Sequence, residues 1–217
     1  MFAVLPLLAG CGKKPAWIPL WTAPPPGSAA GASGEPAGGD VAATSQADAD
    51  ALFATDAGKM ENPRIAVYKS RHVLEVYDGD TLMARMKVAV GRAEGAKKRS
   101  GDNKTPEGSY YICSMSDTGK SYKSLFVSYP NSDDAYAGLN DKVLTQAQYD
   151  DIVSSIDRRL QPAWDTGLGG EIAVSGTGTA GKGRVGDWTA GNVSVSDKDM
   201  DYLWKYITVG VDVEINP

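Results

Sequence analysis

Few side chains in this sequence could take part in covalent catalysis by a cysteine and a histidine. It contains one histidine, His72, and two cysteines, Cys11 and Cys113. A cysteine attacks as its thiolate, and an adjacent imidazole promotes that ionisation. His72 and Cys113 fall in two predicted strands that are distant in sequence. We therefore expect His72 to be structural and Cys113 to pack as a small hydrophobic side chain. A Cys113/His72 pair is the alternative.

Two further segments imitate binding loops without meeting their requirements. Gly176–Gly181 has the G-x-G-x-x-G spacing of a dinucleotide loop, but no helical pattern follows its third glycine. Asp197–Asp201 has alternating aspartates like the start of a calcium loop. Such a loop needs glycine and glutamate where this chain has Tyr202 and Thr208. Clustered Cys and His ligands for zinc are missing as well, so the sequence predicts neither a metal nor a cofactor.

The length, composition and net charge of the chain limit the number of domains and the kinds of partner to be expected. The 217 residues are 42% hydrophobic, which suits one ordinary domain with an extension. A net charge of −5 argues against a nucleic-acid partner. The basic cluster Lys97–Lys104 lies in a predicted loop and is expected to be solvated. Contact with an anionic glycan or a peptide carboxylate is the alternative.

The first 62 residues are predicted to anchor and tether the rest. Residues 1–11 end in Leu-Ala-Gly-Cys, which resembles a bacterial lipobox with Cys11 as the lipidated residue. The apolar run is too short to span a bilayer, and its lack of basic residues places the expected true start upstream. Residues 12–62 are rich in Pro, Gly and Ala, which predicts a flexible, disordered linker. An incidental cysteine in a hydrophobic tail is the alternative to lipidation.

Residues 63–217 have the pattern of one β-rich α+β domain, because short strands outnumber helices and do not alternate with them. Asp78-Gly79 separates two strand-like runs and predicts a hairpin. Two helices are predicted, one capped by Thr145 and ending near Arg159, the other capped by Ser196. The later strands are predicted at Ser109–Met115, Ser124–Tyr129, Glu171–Ser175, Asn192–Val195 and Val211–Ile215.

The order of four segments resembles the catalytic domain of the L,D-transpeptidases (YkuD type). They are RIAVYKSRHVLEVYDGDTLMARMKVAVG, KTPEGSYYI, GGEIAVSGTG and GDWTAGNVSVSDKDMDYLWKYITVGVDVEI. The resemblance covers nearly the whole predicted domain and implies a sandwich-like β fold. Members of the family cross-link peptidoglycan stem peptides through an acyl-enzyme on a cysteine.

The chain departs from the family pattern at the two positions that bear the chemistry. The family has a His-Gly pair at the end of a strand, where this chain has Ser175 and Gly176. It has a Ser/Thr-x-Gly-Cys turn, where this chain has Thr189-Ala-Gly-Asn192. The resemblance thus implies that Ser175 stands at the general-base position and Asn192 at the nucleophile position.

The sequence therefore predicts a pseudoenzyme with no competent catalytic residue. We expect a membrane-anchored lipoprotein of the bacterial cell envelope, facing the periplasm or wall, that binds peptidoglycan or a cell-wall protein. The alternatives are an active transpeptidase or carboxypeptidase with a relocated nucleophile, and a structural partner-binding lipoprotein. The expected binding groove is formed by Gly176, Asp187, Trp188, Thr189 and Gly191.

Overall fold

The computed structural model describes residues 59–118 and 121–217, which form eight strands and three short helices. The strands are β1 (Pro63–Tyr68), β2 (Val73–Asp78), β3 (Thr81–Lys87), β4 (Gly108–Ser116), β5 (Ser124–Val127), β6 (Ala173–Gly176), β7 (Val193–Val195) and β8 (Asp212–Asn216). The helices are α1 (Ser132–Asn140), α2 (Gln146–Asp157) and α3 (Asp197–Tyr206). The predicted β-rich α+β class is confirmed. Cys11 and the linker up to residue 58 lie outside the described residues.

The eight strands follow one another in the order β3-β2-β1-β8-β4-β5-β6-β7. The last strand, β8, lies at the centre and pairs in parallel with β1 and antiparallel with β4. Strand β4 is shared by two halves of the sheet: its first residues pair with β8 and its later residues with β5. The pairing with β8 ends at Tyr111 and the pairing with β5 begins at Ile112, with an irregularity in the latter between Ile112 and Ser114. A bulge of this kind bends a strand, so β4 bends close to the point where it passes from one half of the sheet to the other.

The two outer ends of the sheet are brought together by isolated bridges. Ala89, just after β3, pairs antiparallel with Ser194 in β7, and Gly91 pairs with Thr189 before β7. The sheet is therefore nearly closed, and the segment after β3 lies directly against the segment that contains the family motif.

The interior is built from the inward side chains of both halves of the sheet. Strand β8 shows the alternation that a strand with one solvent face requires, with Val213 and Ile215 buried and Asp212 and Glu214 exposed. Helix α3 covers β6 with an apolar face that includes the fully buried Leu203.

Local sequence signals explain the elements that were predicted correctly. The Asp78-Gly79 turn joins β2 to β3, and Gly79 takes a φ of 57°, which favours glycine. Thr145 and Ser196 cap α2 and α3 through their side chains, as expected. Helix α1 was not predicted. It is capped by Asn131, whose side chain accepts from the backbone N–H of Asp134.

The basic cluster Lys97–Lys104 is an ordered loop, so the expectation of a solvated cluster is wrong for Lys97. The Lys97 ammonium is buried and donates to the carbonyl of Arg99 and to a carboxylate oxygen of Asp102. Asp102 also accepts from the backbone N–H groups of Lys98, Arg99 and Lys104. One carboxylate thus organises the loop and pairs with Lys97, whereas Lys98 and Arg99 are exposed, as expected for a solvated cluster.

Asp134 in α1 should make stability depend on pH. Burial raises the pKa of Asp134 to about 6, even though Asn131 N–H and the Tyr110 hydroxyl donate to it. The folded state therefore holds the proton more tightly than the unfolded chain. The resulting stabilisation is complete below about pH 4 and is lost as the pH rises through 6. The free energy of unfolding falls by at most ~3 kcal/mol over this range.

The measurement is urea unfolding of the wild type and Asp134→Asn at several pH values from 4 to 7. The variant should lose this part of the pH slope, because an amide does not titrate. Asp133→Asn removes a carboxylate from an exposed position on the same helix and serves as the control. Equal slopes in wild type and Asp134→Asn would show that Asp134 does not titrate as described.

Candidate functional site

Ser175 and Ser194 lie on the parallel strands β6 and β7, and Asn192 lies in the chain immediately before β7. Ser175 pairs directly with Ser194. Ser175 is buried, with 4% of its surface exposed. The side-chain oxygen of Asn192 accepts from the backbone N–H of Ala173 at 3.1 Å. The Asn192 amide is therefore fixed to the neighbouring strand.

The turn Thr189–Asn192, called here the motif turn, is held from inside by Thr189. The buried Thr189 hydroxyl donates to the carbonyl of Asn192 at 2.7 Å and accepts from the N–H of Gly191 at 3.2 Å. The backbone of Thr189 bonds to Val90 and Arg92 in the segment after β3. Thr189 is therefore a structural support of the turn, and its side chain is engaged within the protein.

Gly191 allows the motif turn to pass close to another backbone. Its φ of 131° is a conformation that favours glycine, and a Cβ there would lie 2.7 Å from the carbonyl oxygen of Lys104. Gly176 is similarly confined at the end of β6, where a Cβ would lie 2.8 Å from Oδ1 of Asp197 and from Cβ of Tyr122. Both predicted groove glycines therefore serve close packing.

Asp187 holds an imidazole that the sequence did not connect with it. One of its carboxylate oxygens accepts from the backbone N–H of Val90 at 2.9 Å, and the other lies 3.0 Å from Nε2 of His72. The prediction that His72 lies inside a strand is wrong. His72 lies in the turn between β1 and β2, with a φ of 53° and a half-exposed side chain. No local pattern could reveal this pair, because its residues are 115 positions apart.

Trp188 forms part of the wall of a surface cavity of about 580 Å³. The indole is half-buried, and the guanidinium of Arg184 lies 5.3 Å from its ring centroid. His72 and Ser194 line the same cavity. Trp188 is thus neither a core residue nor a free surface aromatic, and its exposed part faces a space large enough for a ligand.

The remaining candidate residues do not join this region as reagents. Burial raises the pKa of the Cys113 thiol to about 11, and its Sγ contacts the carbonyl of Phe126 at 3.4 Å. No hydrogen bond joins Cys113 to His72 in the described part of the chain. Gly176–Gly181 forms a loop without a helix at its third glycine, as predicted.

The aspartates of Asp197–Asp201 are engaged separately: Asp197 with Gly178, Asp199 with Ser196, and Asp201 with Lys123. Among residues 59–118 and 121–217, no group of three or more His, Cys, Asp or Glu side chains could hold a metal ion. None of the helices in the described ranges has the length and apolar character needed to cross a membrane.

Comparison with known proteins supplies the family. Residues 62–215 match the family model of the YkuD L,D-transpeptidase catalytic domain. The chain belongs to this family. No curated protein matches the sequence. The resemblance predicted from the four segments is therefore confirmed at the level of the family.

Solved structures of L,D-transpeptidases and of a cell shape determining protein match the chain at low identity. A variant of the helical cell shape determining protein Pgp2 from Campylobacter jejuni is 19% identical, with 77% of this chain and 53% of that chain covered and a TM-score of 0.50. An L,D-transpeptidase from Xylanimonas cellulosilytica is 15% identical over 78% of this chain and 68% of that chain, with a TM-score of 0.45.

An L,D-transpeptidase from Mycobacterium smegmatis is 9% identical over 72% of this chain and 59% of that chain, with a TM-score of 0.44. The match to these three structures thus spans from about half to about two thirds of their length.

The stability of the folded protein should depend on the glycine at position 191 in the motif turn. Gly191→Ala combines an unfavourable φ with a close approach to the Lys104 carbonyl, and we expect a loss of about 2 kcal/mol or more in unfolding free energy. Gly210→Ala is the matched control, because Gly210 also has a positive φ, of 94°, but no atom lies within 4 Å of an added Cβ. Denaturant unfolding of both variants separates the two effects. Equal losses would show that the Lys104 carbonyl imposes no constraint.

Proposed function

We propose that this protein is a catalytically inactive member of the L,D-transpeptidase family that binds peptidoglycan peptide or a cell-wall protein in the bacterial envelope. The proposal depends above all on Asn192, which corresponds by its motif to the family's cysteine. Its side-chain oxygen accepts from the N–H of Ala173. Of the groove residues expected from the sequence, Trp188 presents its side chain to the surface cavity, whereas Gly176, Asp187, Thr189 and Gly191 would shape the groove through the backbone and through contacts within the protein.

The chemistry of Asn192 and Ser175 supports inactivity. A carboxamide is neither basic nor usefully nucleophilic near neutral pH, and a serine hydroxyl cannot accept a proton as an imidazole does. Loss of a nucleophile together with its base removes about 10⁶-fold of rate enhancement in a well-studied hydrolase. Because the Asn192 amide is also bonded to β6, its position is set by the sheet and not by a substrate.

A relocated nucleophile is disfavoured by the surroundings of Cys113. A thiol with a pKa near 11 is almost entirely protonated at neutral pH, and the thiolate is the reactive form. The imidazole of His72 is instead directed to Asp187. Among the described residues, therefore, no activated thiol supports the alternative of an active enzyme.

The anchoring part of the proposal comes from the sequence. Cys11 would be the lipidated residue, and residues 12–62 would form a tether between the membrane and the domain. A random coil of about fifty residues has a root-mean-square reach of roughly 40 Å. The family consists of cell-wall enzymes, and such a reach would allow the domain to search the wall near a membrane.

Binding without turnover can be tested on the full chain carrying Cys11→Ser. Incubated with purified peptidoglycan, the protein should sediment with the wall. Incubated with a carbapenem, it should show no added mass by intact mass spectrometry. Trp188→Ala should reduce sedimentation, because this side chain has exposed apolar surface at the site. Tyr136→Ala removes an aromatic that is 59% exposed on α1 and is the matched control.

The outcomes separate the candidates. A carbapenem adduct on the wild-type residues would contradict inactivity, and an adduct on Cys113 would mean that the nucleophile had moved. Failure to sediment in wild type would favour a structural lipoprotein that binds another partner. Equal losses in Trp188→Ala and Tyr136→Ala would argue against the groove as the binding surface.

The correspondence of Asn192 and Ser175 to the family's reagents can be tested by restoring them. We expect the double variant Asn192→Cys/Ser175→His to gain a carbapenem adduct at position 192, whereas Asn192→Cys alone gains it more slowly. The physical reason is that the imidazole promotes thiolate formation. Peptide mapping of the adduct is the measurement. No adduct in a folded double variant would contradict the assigned positions.

A further inference from the structure

The cavity beside Trp188 is strongly cationic. The guanidinium groups of Arg71 and Arg184 and the ammonium of Lys87 belong to residues that line it, together with His72. No Asp or Glu is among the described residues that line this cavity. This charge stands out because the chain as a whole carries a net charge of −5. We call it the cationic cavity.

The arginines of the cavity are held by contacts other than ion pairs, although Arg71 is near enough to Glu75 to help lower the pKa of that carboxyl. In the described part of the chain, none of Arg71, Lys87 and Arg184 takes part in an ion pair. Arg71 instead lies over the ring of Tyr68, at 3.7 Å from its centroid, and Arg184 lies over the ring of Trp188. Stacking orients a guanidinium while leaving most of its N–H donors for another partner.

Asp187 adjoins the cavity without belonging to its lining. Its oxygens accept from the N–H of Val90 and lie beside Nε2 of His72, so neither is hydrogen-bonded to Arg71, Lys87 or Arg184. His72 is held at the edge of the cavity by this contact.

A buried hydroxyl lies at the wall of the cavity. Ser194 is one of the lining residues and is 5% exposed, and its Oγ is covered from solvent without a hydrogen bond within the protein. Its backbone N–H and carbonyl are both used by Ala89. Buried polar groups are nearly always hydrogen-bonded, and leaving one unmet is costly. An anionic oxygen in the cavity would accept the Ser194 proton.

We propose that the cationic cavity binds the phosphate group of a phosphate ester. Three permanent positive charges exceed what one carboxylate would balance, whereas a phosphate monoester is close to dianionic at neutral pH. Guanidinium groups match phosphate oxygens with paired N–H donors. The cavity, at about 580 Å³, is larger than a phosphate alone requires, and Trp188, Val73 and Val88 give it apolar wall for the organic part of the ester.

This cavity shares Trp188 with the proposed wall-binding groove, but the phosphate site rests on the cations of the cavity and on Ser194 and does not depend on wall binding. The test uses the full chain carrying Cys11→Ser at constant ionic strength in chloride. Isothermal titration calorimetry is performed with glycerol 3-phosphate, inorganic phosphate and N-acetyl-D-alanyl-D-alanine. We expect the ester to bind at least as tightly as inorganic phosphate, and the carboxylate peptide to bind more weakly at this site.

Charge-removing variants locate the site. Arg184→Gln and Lys87→Gln should each weaken binding of the ester by roughly tenfold, as expected for loss of a charge-assisted hydrogen bond. Arg158→Gln is the matched control, because Arg158 is exposed at the end of α2, where its Nε donates to the Ser154 carbonyl, away from the cavity lining. Equal affinities in all three variants would overturn the assignment.

Ser194→Ala distinguishes a ligand-binding hydroxyl from a structural one. It should weaken ester binding by several-fold while leaving the unliganded protein as stable as wild type or more stable, since an unmet buried hydroxyl is removed. A loss of stability without a loss of affinity would contradict the proposed role. Absence of any phosphate binding, or a preference for the carboxylate peptide, would overturn the ligand class.

Discussion

Four backbone hydrogen bonds hold the segment after β3 against the segment around β7. Ala89 and Ser194 exchange two of them, at 2.9 and 2.7 Å, and Thr189 makes the other two with Val90 and Arg92, both at 3.1 Å. These bonds nearly close the sheet. They also fix both ends of the motif turn, so the position of Asn192 and the wall of the cationic cavity depend on the same contact. Asp187 reinforces it through the N–H of Val90.

Under the proposed correspondence of Ser175 and Asn192 to the family's catalytic positions, this closure explains how the family fold persists without those residues. The motif turn is supported by Thr189 and by the close approach that Gly191 allows, and neither support requires a cysteine at position 192. The asparagine even adds a bond, from Ala173 N–H to its own side-chain oxygen. The contacts that support the motif turn are thus separate from the side chain at position 192.

The charge of the cavity lining is opposite in sign to the net charge of the chain. The protein is acidic overall, yet the lining of the cavity beside the motif turn has cationic but no acidic side chains among the described residues. Asp187 lies outside this lining, where its carboxylate contacts His72 and the N–H of Val90. The net negative charge of the protein repels other anionic surfaces. The positive charge of this cavity can still attract a small anionic group that fits inside it.

Much of the fold could be predicted from local patterns in the sequence. The β2–β3 hairpin follows from Asp78-Gly79, and α2 and α3 follow from their capping residues, because these signals act within a few residues. Helix α1 was missed although its cap, Asn131 with Asp134, is of the same kind as the Ser196–Asp199 cap of α3, because its short segment buries only Ala135 and Gly138 and so has no clear apolar periodicity. The family could also be predicted from the order of the segments.

By itself, the sequence determined the fold class, the family and the residue types at the motif positions, because these depend on local periodicity and on the order of segments. The tertiary structure alone decided what those residues contact. It joined His72 to Asp187 across 115 positions, buried Lys97 against Asp102, and gathered Arg71, Lys87 and Arg184 around Ser194. Such contacts arise when sheet closure brings distant strands together, and no local pattern in the chain encodes which side chains will then meet.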